Sequence, residues 1–342
     1  MASLTDFQPE LRDGPPWVMD DMINAQLSLP EQIAGGTSVE LLGRRIAETA
    51  EAGEPITLCG CGTSEHAARA IHALLHQATP ESRLAVRDSF EAQFEPPASG
   101  LLIAVSHSGE TAATVQASRQ AAALGAKTVL ITADSAGLPE SIEPVLTPLS
   151  DRSWCHTVAY TSPILTCALG AGLTAVTARD AIGRELEARD RRRRDAAALA
   201  GCARLLIVGS GVDEITASEL ALKIEEAAHV PCTPLGAEKV LHGHLPAADR
   251  NTGVVLIRFD PRAAPERDAR AADVAAAVAI LDMPTITLAR IDLASGAEAL
   301  LAGAIALQLL TVELATALDT NPDLIRREQP LYREVAEAAK AG

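Results

Sequence analysis

Six consecutive residues, Ser106-His107-Ser108-Gly109-Glu110-Thr111, set three hydroxyls and a glycine between an apolar run (101–105) and a helix-like stretch (112–124). A helix entered from a buried strand leaves its first N–H groups unpaired and carries the positive end of its dipole there. An anion is drawn to such a place, and the hydroxyls complete its hydrogen bonds. No lysine lies in the segment, so it is not the nucleotide loop that ends in Gly-Lys-Ser/Thr. A small phosphomonoester fits better than a triphosphate. An earlier turn, Gly60-Cys61-Gly62-Thr63-Ser64, has the same form. By itself it reads as an ordinary N-cap by Thr63 or Ser64. Together the two loops present hydroxyls from two strand ends to one crevice, which favours phosphate binding.

Lys223 and Glu226 stand three apart in a helical stretch and share a face. Spacing alone reads as a surface ion pair, with Glu219 an alternative partner for Lys223. The chemical reading makes Glu226 a base and Lys223 the cation that orients it. His242-Gly243-His244 lies in a turn-rich loop. No second cluster with ligand spacing accompanies it, so no metal or other cofactor is expected. A histidine there suits acid–base work near neutral pH.

The elements that must position these groups follow an α/β grammar. Apolar runs at 56–58, 83–86, 101–105, 128–131 and 145–149 alternate with Ala-rich helical periods. A second unit begins with a strand at 205–208, the turn Gly209-Ser210-Gly211 and a helix at 213–228. Strands at 254–258 and 285–288 and a long apolar helix at 297–318 complete it. The two units read as an internal pseudo-repeat, with ligands expected at the carboxyl ends of the strands. Between them lies a charged stretch containing Arg191-Arg192-Arg193-Arg194; flanking acids make it a solvated connecting helix. The uncharged stretch 157–178 is long enough to span a bilayer, but its Pro, Gly and Thr content predicts a buried helix instead.

The 342 residues have room for about two domains. The expected division is a leader (1–40), a phosphate-binding unit (41–183), the connecting helix (184–196), a unit carrying the base helix (197–320) and a tail (321–342). A net charge of −16 argues against nucleic acid as a partner, so local devices must hold any anionic substrate. The start, Met1-Ala2-Ser3-Leu4-Thr5-Asp6, has no basic or apolar secretory region, and six unpaired-looking cysteines fit a reducing cytoplasm. No membrane association is expected.

Taken in order, Cys61-Gly62-Thr63-Ser64, Ser106 to Thr111, Ala221-Leu222-Lys223-Ile224-Glu225-Glu226 and His242-Gly243 resemble the sugar isomerase (SIS) domain family. The likeness is to the isomerase half of glucosamine-6-phosphate synthase and to stand-alone amino-sugar-phosphate isomerases and deaminases, over roughly residues 40–320. It implies two tandem SIS units, each a mostly parallel sheet flanked by helices in three α/β/α layers. It further implies that Ser64, Ser106, His107, Ser108 and Thr111 surround a 6-phosphate, with Thr63 near sugar hydroxyls. Glu226 would move a proton between C1 and C2, Lys223 would support it, and His242 would help open the sugar ring from a partner subunit. A homodimer with shared sites follows from that. The expected activity is phosphosugar isomerisation of an amino-sugar 6-phosphate, open to coupled deamination, without a glutaminase domain. A non-catalytic sugar-phosphate sensor is the alternative. Tyr160 is expected to narrow the sugar pocket, and Arg326 or Arg327 to stand in for a tail lysine.

Overall fold

A computed structural model of the chain describes residues 8–340. The segment read as lacking a secretory region, residues 1–6, lies outside them. Strands β1 (Ile56–Gly60), β2 (Leu84–Asp88), β3 (Leu101–Val105), β4 (Lys127–Thr132) and β5 (Glu143–Leu146) form one parallel sheet in the order β2-β1-β3-β4-β5. Strands β6 (Arg204–Gly209), β7 (Cys232–Gly236), β8 (Thr252–Arg258) and β9 (Thr285–Ala289) form a second, in the order β7-β6-β8-β9. Central strands such as β1 and β3 are buried along their whole length, as sheets covered on both faces require. The expected α/β architecture of two parallel sheets is therefore observed.

Ahead of the first sheet lie α1 (Val18–Ala25), α2 (Leu29–Ala34) and α3 (Thr37–Glu51). Within the first unit come α4 (Thr63–Ala78), α5 (Ser89–Ala92), α6 (Ala112–Leu124) and α7 (Val158–Gly170). Then follow α8 (Ala175–Leu186), α9 (Arg189–Leu199), α10 (Val212–Ala227), α11 (Ala237–Lys239), α12 (Ala264–Ile280), α13 (Gly296–Ala317) and α14 (Pro330–Lys340). The long apolar helix α13 passes by length and composition for a membrane span, yet it is buried by α7, α8, α9 and α10. It carries much of a core that reaches from Ile56 and Leu58 in one sheet to Leu205 and Ile207 in the other.

Several sequence expectations shift. The uncharged stretch 157–178 is not one helix: Gly172, at φ 98°, turns the chain between α7 and α8. Strand β7 was not foreseen, because Pro234 and a half-exposed edge position mask its pattern. The arginine-rich helix α9 is not simply solvated. It packs on α13, and Arg192 is fully buried between Asp195 (2.8 Å) and Glu185 (3.8 Å). Arg189 pairs with Asp20 of α1 and, at 2.8 Å, with Glu313 of α13.

The two units repeat one turn closely. Gly62 before α4 and Gly211 before α10 share an unusual backbone, φ/ψ 55°/−124° and 67°/−129°, which an L side chain resists. What faces the turn differs. Cys59 pairs with Ala104, and Val208 with Leu256, so register makes Ser108 and Asp260 counterparts. In the second unit the Asp260 carboxylate accepts the N–H of Val212 at 3.0 Å and pairs with Arg262 and Arg267, each at 2.6 Å. The chain's own anion thus fills the place at the mouth of α10 that the first unit leaves to solvent. Beside it, Asp213 Oδ2 accepts the N–H groups of Phe259 (2.9 Å) and Asp260 (3.0 Å).

The N-terminal helices are tied to the tail by one carboxylate. Asp323, fully buried, accepts the N–H groups of Val18 and Met19 at 2.8 Å each, capping α1. Asp323→Ala leaves both donors buried and unpaired, so unfolding in urea should need about 2–4 kcal/mol less free energy at unchanged slope. A loss below about 0.5 kcal/mol would show that α1 does not depend on this cap. A second expectation concerns pH. Burial pushes the Asp213 carboxyl up to about 7, against the N–H bonds that favour its charged form. The folded chain therefore holds this proton more tightly than the unfolded chain. The stability it contributes is complete below about pH 4 and is lost as pH rises through about 7. Asp213→Asn should accordingly gain stability relative to the parent chain between those limits, and parallel urea midpoints across that range would refute the assignment.

Candidate functional site

A cavity of about 470 Å³ lies at the carboxyl ends of β1 and β3. Its walls carry Thr63 and Ser64 from the start of α4, His107, Ser108 and Thr111 from the loop before α6, and Glu226 from α10. Neither α4 nor α6 has a side-chain cap at its N-terminus. Two helix dipoles thus direct positive potential into one space lined by hydroxyls, which suits an anion. The β3 loop is fixed from behind. Thr132 Oγ1 donates to the carbonyl of Asp134 (2.7 Å) and approaches that of His107 (3.1 Å), and Gly109 sits at φ 71°. A Cβ on Gly109 would come within 2.6 Å of the Asp134 carbonyl oxygen, so the turn needs glycine.

The base side of the cavity is held by a run of buried charge on α10. Lys223 donates to Glu226 Oε2 at 2.5 Å and lies 3.8 Å from Glu219, with 1% of its side chain exposed. Burial pulls its pKa down, but Glu226 and Glu219 together outweigh burial, and the net direction is upward. Glu219, wholly buried, also accepts from His66 Nδ1 (2.7 Å) and Thr63 Oγ1 (3.2 Å) of α4. The bland reading of this pair as a surface contact therefore fails. Neither Lys223 nor Glu219 is on the surface, because α10 packs against α4 and α13.

A loop of residues 151–157 forms the remaining wall. The Asp151 carboxylate accepts the N–H groups of Thr157 and Ala159 and the Thr157 hydroxyl, all at 2.9 Å. Its own N–H donates to His107 Nε2 at 2.9 Å, so that nitrogen is unprotonated and the ring is neutral. Burial pushes His107 down, with Asp151 opposing. His156 is held well below its ordinary value by burial and by the nearby Lys223, His107 and Arg327. The two rings lie 5.5 Å apart. Arg327 reaches the cavity from the tail, its guanidinium 4.9 Å from the Trp154 ring.

Most of the expected residues converge, with four exceptions, of which Lys223 is buried against Glu226 and does not itself line the cavity. Ser106 is fully buried behind the cavity, bonded to Thr111 Oγ1 at 2.9 Å, and acts on the wall from within. Tyr160 does not narrow the pocket. It is wholly buried in the core on α7, its hydroxyl has no hydrogen-bond partner among the described residues, and burial followed by Glu219 raises its pKa. The aromatic residue that does line the cavity is Trp154, six positions earlier. His242 is away from the cavity of its own chain: its side chain is exposed and its Nε2 is 2.8 Å from Glu238. Of the two tail arginines, Arg327 lines the cavity while Arg326 bonds Tyr332 at 2.6 Å. Asp151, His156 and Leu222 were not singled out. An aspartate six residues before the helix it caps has no local signature, and His156 had no partner within reach of a spacing argument.

Comparison with known proteins places this geometry in context. The SIS domain model matches residues 50–137 and 198–317. A glutamine–fructose-6-phosphate aminotransferase (isomerizing) from Halobacterium salinarum is 29% identical over 262 residues, which are 68% of this chain and 43% of that relative. The chain thus spans less than half the length of that relative. Among solved structures, the C-terminal domain of glucosamine-fructose-6-phosphate aminotransferase from Francisella tularensis superposes with TM-score 0.74 at 19% identity, covering 92% of this chain and 99% of that one. Glucosamine-6-phosphate deaminase from Thermotoga maritima gives 0.73 at 16% identity, with 90% and 97% covered. Tagatose-6-phosphate ketose/aldose isomerase from Escherichia coli gives 0.75 at 18%, with 93% and 98% covered. With both strand-and-helix units matched across more than half its residues, the chain belongs to the SIS domain family.

Proposed function

We propose that the chain is a phosphosugar isomerase that moves a proton between C1 and C2 of a sugar 6-phosphate. The observation that carries this reading is that the Glu226 carboxylate lines the same cavity as Ser64, Ser108 and Thr111. One carboxylate that reaches two adjacent carbons is the minimum an enediol route needs. The phosphate, seated at the mouths of α4 and α6 with His107 behind it, supplies binding energy and position remote from the reacting carbons. Lys223 orients Glu226, and the Arg327 guanidinium on the cavity wall favours the oxyanion of the intermediate. Thr63 meets sugar hydroxyls. Ring opening falls to His242 of a second copy of the chain, which implies a homodimer with shared sites. A sensor would need the phosphate loops but no ion-paired carboxylate beside them, so an enzyme is the better account.

The finer reading takes the sugar to be an amino sugar, with nitrogen release as an extension. The likeness to an aminotransferase of fructose 6-phosphate supports it. In heavy water, hexose 6-phosphates with a hydroxyl or an amino group at C2 should exchange hydrogen at C1 or C2, followed by NMR. Glu226→Gln should lower that exchange by about 10²–10⁴-fold while sugar-phosphate affinity stays within a few-fold. A folded enzyme that binds these compounds without exchanging hydrogen would favour the sensor, and full activity in Glu226→Gln would remove the base.

A further inference from the structure

The second unit has its own cavity, of about 290 Å³, at the carboxyl ends of β6, β8 and β9. Nothing in the isomerase reading uses it. Two polar atoms of its lining residues are buried without a partner among the described residues, Asp213 Oδ1 and Arg258 Nε, while Arg267 Nη1 is taken by Asp260 at 2.6 Å. Asp213 is 3% exposed, and its other oxygen is already committed to the N–H groups of Phe259 and Asp260. Buried polar atoms of this kind are normally satisfied, and an acceptor and a donor on one cavity call for a ligand that offers both a donor and an acceptor.

The chemistry of the lining narrows the choice. The mouth of α10 is occupied by Asp260, so an oxyanion cannot be held there as is proposed for the first unit. It must be held by arginine side chains, whose planar fork matches a carboxylate. Three arginines (Arg258, Arg267, Arg290) and three aspartates (Asp213, Asp260, Asp268) line the cavity. Arg267 pairs with Asp260 and Arg258 with Asp268, which leaves little net positive charge. A phosphate dianion is disfavoured by that balance, whereas a monoanion or zwitterion is accommodated. A donor on Asp213 Oδ1, above all an ammonium, would offset the burial that disfavours the charged form of this carboxyl. We infer that this cavity binds a small α-amino or α-hydroxy carboxylate, its carboxylate on Arg258 and Arg267 and its ammonium or hydroxyl on Asp213 Oδ1.

Calorimetric titration of the full chain tests this with two arms, glycine, L-alanine and L-serine in one and L-lactate and D-glycerate in the other. Acetate and inorganic phosphate serve as comparisons lacking the donor or the planar carboxylate. One arm should show saturable binding, with acetate and phosphate at least about tenfold weaker. Asp213→Asn keeps an oxygen for the two backbone donors but turns the facing atom into a donor. It should weaken binding by about tenfold or more, as should Arg258→Met. Glucose 6-phosphate binding by the same two proteins reports separately on the first cavity and should stay within about twofold of the parent. If neither arm saturates at millimolar concentration, or if Asp213→Asn binds like the parent chain, the proposal is wrong. Should Asp213→Asn not fold, unchanged affinity in Arg258→Met overturns it equally.

Discussion

A lysine ammonium buried on α10 is tolerable because carboxylates of the same helix stand on either side of it, Glu219 four residues before and Glu226 three residues after. The same Glu219 accepts from Thr63 and His66 of α4. That single carboxylate therefore joins the second unit to the first. It sets the register between α10, which carries the proposed base, and α4, whose mouth is proposed to receive the anion. Catalysis by a remote phosphate and a distant carboxylate needs such a constraint, since an ångström of drift between them forfeits much of the advantage of positioning. The interaction is also hard to replace. Removing either partner strands a charge in the core, which costs several kcal/mol.

The pseudo-repeat explains why the two units are not two equivalent sites. Both build the same glycine turn and the same strand-to-helix step, so each has a mouth suited to an anion. The first meets it with small hydroxyls at Ser64, Ser108 and Thr111. The second meets it with Asp260, held by two arginines. An internal carboxylate has no translational entropy to lose, so it occupies the place ahead of any free phosphate. One fold thus yields an open cradle and a filled one, and the difference lies in which side chain stands at one register position of the central strand's exit.

Much of this was legible in the sequence, and for identifiable reasons. Strand β3 and helix α6 were located because a short uninterrupted apolar run and the longer Ala-rich stretch after it are different local patterns. The hydroxyl loops could be read because helix mouths follow local rules. What could not be read was three-dimensional convergence. Tyr160 was expected in the pocket from the family resemblance, but helical rotation turns it into the core, and Trp154 lines the wall. Arg192 looked solvated among its neighbours, yet only the packing of α9 on α13 decides which of four arginines is buried. Glu219 and Lys223 carried the right spacing for an ion pair, whereas their burial came from α4, some 150 residues away in sequence.

The tail shows how a distant anchor delivers a charge. Ile325 and Arg326 both adopt positive φ, 43° and 61°, a conformation that costs non-glycine residues about 1–3 kcal/mol each. Such a bend persists when its flanks are fixed more strongly than it is strained. On one side Asp323 holds two N–H groups of α1, and its carbonyl accepts the N–H of Trp154 at 3.1 Å. On the other, Arg327 stacks on the ring of that same Trp154. The bend therefore reverses the chain between two contacts to one residue and swings the guanidinium into the cavity wall. A guanidinium keeps its charge in such surroundings and does not yield its proton. It can hold an oxyanion steadily beside Glu226 without competing for the proton that carboxylate is proposed to move.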